Sequence, residues 1–467
     1  MRKTKMVCTI GPASRDPVVL RRLIRAGMDC ARLNFSHETP EVHGRTLRAL
    51  REAAEAESRE VAALQDLPGP KIRTGRGETI ELVEGSELVI LPGVDVTEPG
   101  RIGCSYSELG RELRAGGRVL LSDGFLELEV LESRPEEVRC RVVRGGDLRA
   151  RQGINLPGAE LSARSPTAED IEYLRWGLDA GVDYIALSFV KTADDVKRAR
   201  DAAGARARDV RIVAKIERPE AVRDIDNILD AADGIMVARG DLGVELPPER
   251  VPPSQREIVR RANAADKPVI VATQMLESMT VHLRPTRAEV SDVAHAIWDG
   301  TDAVMLSGET ASGRHPVEAA SLMARIAEEA DLDLERQTCA PPRGGHTGQQ
   351  DVVGMAASLL ARELSAAAIA AVTLSGETAR YVSMARPQCP VLGLSPSSQA
   401  RRRMALYRGV IPMAVEKILD AETLASEARR AARETGLAKG GDLVVLVYGE
   451  PVGSGVRANT VRLAWVE

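Results

Sequence analysis

Short, almost wholly apolar runs recur along this chain, and a segment with helical spacing follows each one. The runs are KMVCTI (5–10), DCARLN (29–34), VAALQD (61–66), VDYIALSF (182–189), RIVAKIE (211–217), GIMVA (234–238), PVIVAT (268–273) and DAVMLS (302–307). Turns rich in Gly, Pro, Ser or Asp separate them from stretches such as Val18, Leu20, Leu23 and Ile24, or Ile258, Val259, Ala262 and Ala265, spaced as on one helix face. Strands of this kind are buried on both faces, and strand–helix repetition demands parallel pairing with helical crossovers. Eight repeats favour a closed (β/α)8 barrel over an open doubly wound sheet.

One stretch breaks the rhythm. From 68 to 165 the runs alternate in polarity, as in ETIELV (78–83), ELVILP (87–92), RVLLSD (118–123), LELEVLE (126–132) and EVRCRVV (137–143). Paired glycines and prolines punctuate them, which predicts antiparallel hairpins in a small inserted β-domain able to act as a lid. The barrel is thus expected from 1–67 and 166–335. After a polar linker, TCAPPRGGHTGQQ (338–350), a third α/β unit is expected within 336–467. Lys plus Arg number 63 against 68 Asp plus Glu, a net charge of −5, which excludes a global grip on nucleic acid. No apolar run reaches the ~20 residues a bilayer crossing needs, and no secretory leader is expected. The six cysteines are scattered without a CxxC pair, so a disulfide frame is not expected and a cytoplasmic location is.

Chemistry in such barrels sits at the C-terminal strand ends. Those ends carry Arg32, Asn34, Ser36 and His37 on strand two, and Asp66 with Lys71 and Arg73 on strand three. Strand five carries Lys215 and Glu217, strand six Arg239, Gly240 and Asp241, strand seven Thr273 and Gln274, and strand eight Ser307 and Glu309. Strand period two projects Val213, Lys215 and Glu217 to one face. Glu217 and Asp241 on neighbouring strand ends suit a hard cation such as Mg²⁺, which keeps water and substrate phosphates in its shell. A lysine beside it would stabilise charge on a phosphoryl group or an enolate. The plain alternatives are an ion pair at a solvated strand end and a simple RGDLG turn. Arg32, Lys71 and Arg73 form a cationic set suited to phosphates, although each alone also reads as a surface charge. His37 reads equally as a cap, and Thr273 as a proton carrier or a helix cap.

Nine collinear segments resemble the pyruvate kinase family: CTIGPAS (8–14), ARLNFSH (31–37), GPKIRTG (69–75), GINLPG (153–158), AKIE (214–217), ARGDLGVE (238–245), ATQMLESM (272–279), RPTRAEVSDVA (284–294) and DGTDAVMLSGETASG (299–313). The resemblance implies transfer of a phosphoryl group from phosphoenolpyruvate to ADP, giving pyruvate and ATP in the last step of glycolysis. It puts Mg²⁺ (or Mn²⁺ in its place) on Glu217 and Asp241, and sets Lys215 and Arg32 against the phosphoryl group. It gives the substrate carboxylate to the amides of Arg239, Gly240 and Asp241, and enolate protonation to Thr273 and Ser307. Arg32, His37, Arg73 and Arg151 fall on the nucleotide side, Arg151 because Gln152 stands where the family often has a basic residue. Asp123 in LLSDGF resembles an acidic lid residue facing the cleft.

Asn34, Ser36, Asp66 and Leu67 resemble ligands of a monovalent cation. This chain, however, reads Asp66-Leu67-Pro68-Gly69-Pro70-Lys71 where many members carry Glu in the last place. The Lys71 ammonium would supply the charge otherwise given by K⁺, so independence from K⁺ is expected. In the last unit TLSGETAR (373–380) and EPVGSGVRANT (450–460) resemble an effector site for a phosphorylated ligand, with Ser375, Gly376, Thr378, Gly453, Ser454 and Gly455 as contacts. A homotetramer is the family expectation. Two other readings stand beside phosphoryl transfer: a Mg²⁺-dependent lyase acting on a pyruvate-type enolate, and a metabolite sensor without kinase activity. The inserted lid and Arg73 count against the first. The presence of Arg32, Lys215, Glu217 and Asp241 counts against the second.

Overall fold

Eight parallel strands close into a barrel in the computed structural model, which describes residues 1–159, 161–337, 349–416, 420–453 and 455–467. In chain order they are Lys5–Thr9, Cys30–Asn34, Ala62–Asp66, Tyr184–Leu187, Arg211–Ile216, Gly234–Ala238, Val269–Ala272 and Ala303–Leu306. Each pairs with its neighbours in sequence, and the eighth returns to the first through Lys5 opposite Ala303. The eight apolar runs read from the sequence are these strands. Inside the barrel Val7, Cys30, Leu64, Val213, Met236 and Met305 pack as one layer, and Leu406 from the C-terminal unit joins them. Outside, helices lay their apolar stripes on the strands. Pro17–Ala26 buries Leu20, Leu23 and Ile24, starts on Asp16, whose carboxylate accepts the Val18 N–H at 2.9 Å, and ends at Gly27 in the left-handed region.

The chain leaves the barrel at Gly69, whose φ of +67° and whose contact with Phe189, 2.8 Å from where a Cβ would stand, admit only glycine without a shift. The Gly69 N–H donates to Asp170, which also completes the capping box of Ala168–Ala180 with Thr167. One carboxylate therefore fixes both the exit and the return of the chain. The inserted unit holds a six-stranded and a two-stranded sheet around its own core of Ile90, Ile102, Val119, Leu128, Val138 and Cys140. Among the described residues only Arg118–Leu121, Leu126–Arg134 and Glu137–Arg144 pair as successive hairpins, and one pairing is not antiparallel. Arg101–Cys104 pairs parallel to Glu87–Pro92, because the chain turns back through Gly93 and Gly100, both at positive φ, before re-entering the sheet.

The last unit is a five-stranded sheet, four strands parallel and Thr460–Trp465 antiparallel at the edge against Leu443–Tyr448. Its helix Glu377–Met384 seats its first turn on the floor of the barrel. Glu377 pairs with Arg211 at 2.5 Å, and Arg380 donates to the Asp266 carbonyl at 2.6 Å. Most of the expected linker, residues 338–348, lies outside the described residues, as do Ser454 and the side chain of Asp123. The five described free cysteines form no disulfide, and no described helix is long and apolar enough to cross a membrane.

Candidate active site

At the mouth, the fifth strand delivers Lys215 and, just past its end, Glu217, both buried. The Lys215 Nζ lies 2.8 Å from Glu217 Oε1 and 3.2 Å from Asp66 Oδ1, and donates to Ser188 Oγ at 2.7 Å. Asp66 ends the third strand, and its other oxygen accepts Arg32 Nε at 2.6 Å. Arg32 Nη1 donates to the Thr9 hydroxyl at 3.0 Å, which in turn donates to the Leu306 carbonyl. Ser188 also reaches Asp66 at 3.3 Å, and the Phe189 N–H donates to Glu217 Oε2 at 2.6 Å. Six strand ends are thereby knitted into one polar layer over an apolar barrel interior.

The electrostatics follow from this geometry. Burial pushes the Asp66 carboxyl up, but Lys215 and Arg32 outweigh it and hold the group below the ordinary aspartate value. Burial likewise pushes the Lys215 ammonium down, yet Asp66 and Glu217 hold it above the ordinary lysine value, so it stays charged. Glu217 is raised, by burial first and by the Asp241 carboxylate second, against the pull of Lys215. Lys215 and Arg32 face Asp66, Glu217 and Asp241, leaving one negative charge in excess. A buried Glu217 destabilised by a second carboxylate, Asp241, is a donor set that fits a hard divalent cation. Glu217 and Asp241 would hold it, and when bound it supplies positive charge to the oxygens of a transferring phosphoryl group.

Asp241 belongs to the short helix Arg239–Glu245 that follows the sixth strand. The Gly240 N–H donates to Thr273 Oγ1 at 2.7 Å, and that hydroxyl donates to the Ala272 carbonyl at 2.6 Å. The Arg239 guanidinium does not turn toward the mouth. It is held by the Thr273 and Gln274 carbonyls and by Asp292, leaving its backbone for any substrate contact. Ser307 follows the eighth strand, and its buried hydroxyl has no hydrogen-bond partner among the described residues. An unspent hydroxyl at a strand end is what a proton-handling site needs.

On the opposite side His37 is exposed, yet partial desolvation and then Arg73, Lys71 and Arg32 push its imidazole below the ordinary histidine value. That shift places the cationic set around one point. Arg151 pairs with Asp95 at 2.9 Å within the lid, and its carbonyl accepts Arg73 Nη1 at 3.2 Å. Of the monovalent-cation candidates, Asn34 spends its Oδ1 on the Ser36 N–H, Asp66 is engaged by Arg32 and Lys215, and Leu67 is buried. In the last unit Ser375, Thr378, Gly453 and Gly455 line one cavity of about 220 Å³ together with Arg457. Gly376 lies just behind it at φ +93° as the cap of the helix Glu377–Met384. Ser188, Thr9 and Asp292 were not singled out from the sequence. Ser188 and Thr9 close strands four and one, so reading all eight strand ends would have found both.

Fold and site define a lidded (β/α)8-barrel enzyme whose mouth sets a lysine, two arginines and paired carboxylates against an anionic substrate. The chain belongs to the pyruvate kinase family: residues 1–320 match the family description "Pyruvate kinase, barrel domain" and residues 351–464 match "Pyruvate kinase, alpha/beta domain". It is 44% identical over 469 residues to the pyruvate kinase of Geobacillus stearothermophilus, covering 99% of this chain and 80% of that relative. It is 40% identical, with the same coverage, to the pyruvate kinase of Staphylococcus aureus strain MRSA252.

Proposed function

We propose that this protein transfers the phosphoryl group of phosphoenolpyruvate to ADP, giving pyruvate and ATP, with Mg²⁺ as the cofactor. The observation that carries this reading is Lys215, buried and charged, between Asp66 and Glu217 with Asp241 beside them. Its ammonium would face the phosphoryl group in flight and the enolate left behind. Arg32, anchored by Asp66 and Thr9, presents its remaining N–H groups from the second strand. The ADP phosphates would lie toward Arg73 and His37, where Lys71, Arg73 and Arg32 concentrate positive charge. As the P–O bond to phosphoenolpyruvate breaks, its electron pair stays on the enolate oxygen. Protonation at C3 then restores the carbonyl, the proton reaching the enolate from water along the Thr273 and Ser307 hydroxyls. The lid, tied to the barrel by Lys191 donating to the Leu161 and Ala163 carbonyls, would exclude water from the phosphoryl group.

Asp66 already carries two cationic partners, and Lys71 adds a third charge at the nucleotide side, so the enzyme would work without K⁺. The cavity at Ser375, Thr378 and Gly453 would take a phosphorylated effector, and the assembly would be a homotetramer. The test is the initial rate of pyruvate formation from phosphoenolpyruvate and ADP with Mg²⁺, in a tetramethylammonium buffer with K⁺ titrated back. Full rate without K⁺ is expected. A rate that appears only with K⁺ removes the role given to Lys71 and leaves the phosphotransfer standing.

A further inference from the structure

Thr273 and Gln274 adopt φ of +70° and +53°, two consecutive left-handed residues without glycine, the first of them β-branched. Such backbone persists only where its surroundings over-determine it. Here the fastening is the Arg239 guanidinium. Its Nη2 donates to the Thr273 carbonyl at 2.7 Å and to the Gln274 carbonyl at 3.0 Å, and its Nε reaches the Thr273 carbonyl at 3.2 Å. The remaining arm, Nη1, donates to Asp292 Oδ2 at 2.6 Å. Arg239 is buried, so its orientation depends on that carboxylate.

Asp292 stands on the helix Arg287–Trp298, three residues beyond Glu289 and on the same face. Glu289 accepts the Ser278 N–H at 2.7 Å and the Ser278 hydroxyl at 2.6 Å. One helix thus grips the segment after the seventh strand at two points: directly at Ser278, and through Arg239 at Thr273 and Gln274. The Thr273 hydroxyl, in turn, meets the Gly240 N–H at 2.7 Å, which joins the sixth and seventh strand ends.

We propose that Asp292 is a positioning residue for the proton-transfer end of the site, acting through Arg239 on Thr273; this rests on the phosphotransferase reading above. Asp292 itself touches no reacting atom. It sets the guanidinium that holds the strained turn, and so sets where the Thr273 hydroxyl points when the enolate takes its proton at C3.

The test uses the whole enzyme and separates protonation from nucleotide binding. The step that protonates the enolate also, in reverse, exchanges the C3 protons of pyruvate with deuterated water, readable by NMR with Mg²⁺ and ATP present. Asp292→Asn should slow that exchange by about tenfold or more while leaving the KM for ADP within about twofold. Asp292→Glu, which keeps the charge, should recover at least half of the loss. If Asp292→Asn does not fold, Arg239→Lys should show the same selective loss. Exchange at the wild-type rate in Asp292→Asn overturns the proposal. So does a loss matched by an equal rise in the KM for ADP, or a Glu variant without recovery. A wild-type enzyme that forms no pyruvate overturns the functional reading and this proposal together, whereas an active wild type with an unaffected variant overturns this proposal alone.

Discussion

The Lys215 ammonium lies 2.8 Å from Glu217 Oε1, its neighbour two positions along the same strand end, and 3.2 Å from Asp66 on the third strand. Among the described residues the ammonium is the one cation that pairs with both buried carboxylates. If Lys215 stabilises the developing enolate as proposed, Lys215→Met should lower kcat by about a thousandfold. It also leaves Asp66 and Glu217 facing each other without Lys215, which should cost about 3 kcal/mol of stability. The folded-state value of Lys215 is raised, so the stability it contributes is fully present below the ordinary lysine value of 10.5 and is lost only as pH rises through the higher folded value. Chemical denaturation at pH 7 and steady-state rates check both expectations.

Glu217 is held above its ordinary value by burial and by Asp241, and a divalent cation bound there would offset both. Glu217→Gln should therefore raise the Mg²⁺ concentration for half-maximal rate by about tenfold or more, and should diminish the thermal stabilisation that Mg²⁺ gives the wild type. Equal Mg²⁺ responses in the two proteins would remove Glu217 from the metal site.

His37 reports on the cationic set. Its imidazole lies below the ordinary 6.5, so as pH falls through 6.5 the unfolded chain binds a proton that the folded chain does not, and stability falls with it. An NMR titration should place His37 below the ordinary histidine value, and ADP should raise it because polyphosphate charge offsets Arg73, Lys71 and Arg32. A His37 value indifferent to ADP would place the nucleotide elsewhere.

The barrel was legible because its strands are buried on both faces and read as unbroken apolar runs. Arg101–Cys104 was not legible, because a four-residue strand with an arginine and a glycine carries no period. The Lys215–Glu217 pair followed from strand period two alone. The place of Arg239 did not. In sequence only its backbone amide is assigned a contact, and the left-handed turn at Thr273 and Gln274, invisible in residue identity, is what receives its guanidinium. Arg151 is similar, since a partner as remote in sequence as Asp95 has no local signature.

The floor of the barrel offers a further check. Arg211 begins the strand that ends near Glu217, and its pair with Glu377 joins it to the helix start that lines the cavity at Ser375 and Thr378. Neither side chain is fully buried, at 19% and 35% exposure, so a double-mutant cycle with Arg211→Gln and Glu377→Gln should give a coupling of about 1 kcal/mol in unfolding free energy. Additive effects would mean that the pair holds nothing.

Under the proposed function, Lys215, Glu217, Asp241 and the lid would direct the phosphoryl group to ADP and keep it from water. The most direct measurement follows phosphorus and pyruvate together in one reaction, with phosphoenolpyruvate, ADP and Mg²⁺, by ³¹P NMR and a pyruvate assay. Pyruvate and ATP should appear in equal amounts, and neither should form when Mg²⁺ is chelated. Pyruvate accompanied by inorganic phosphate in place of ATP, or no turnover with Mg²⁺ present, would contradict the account.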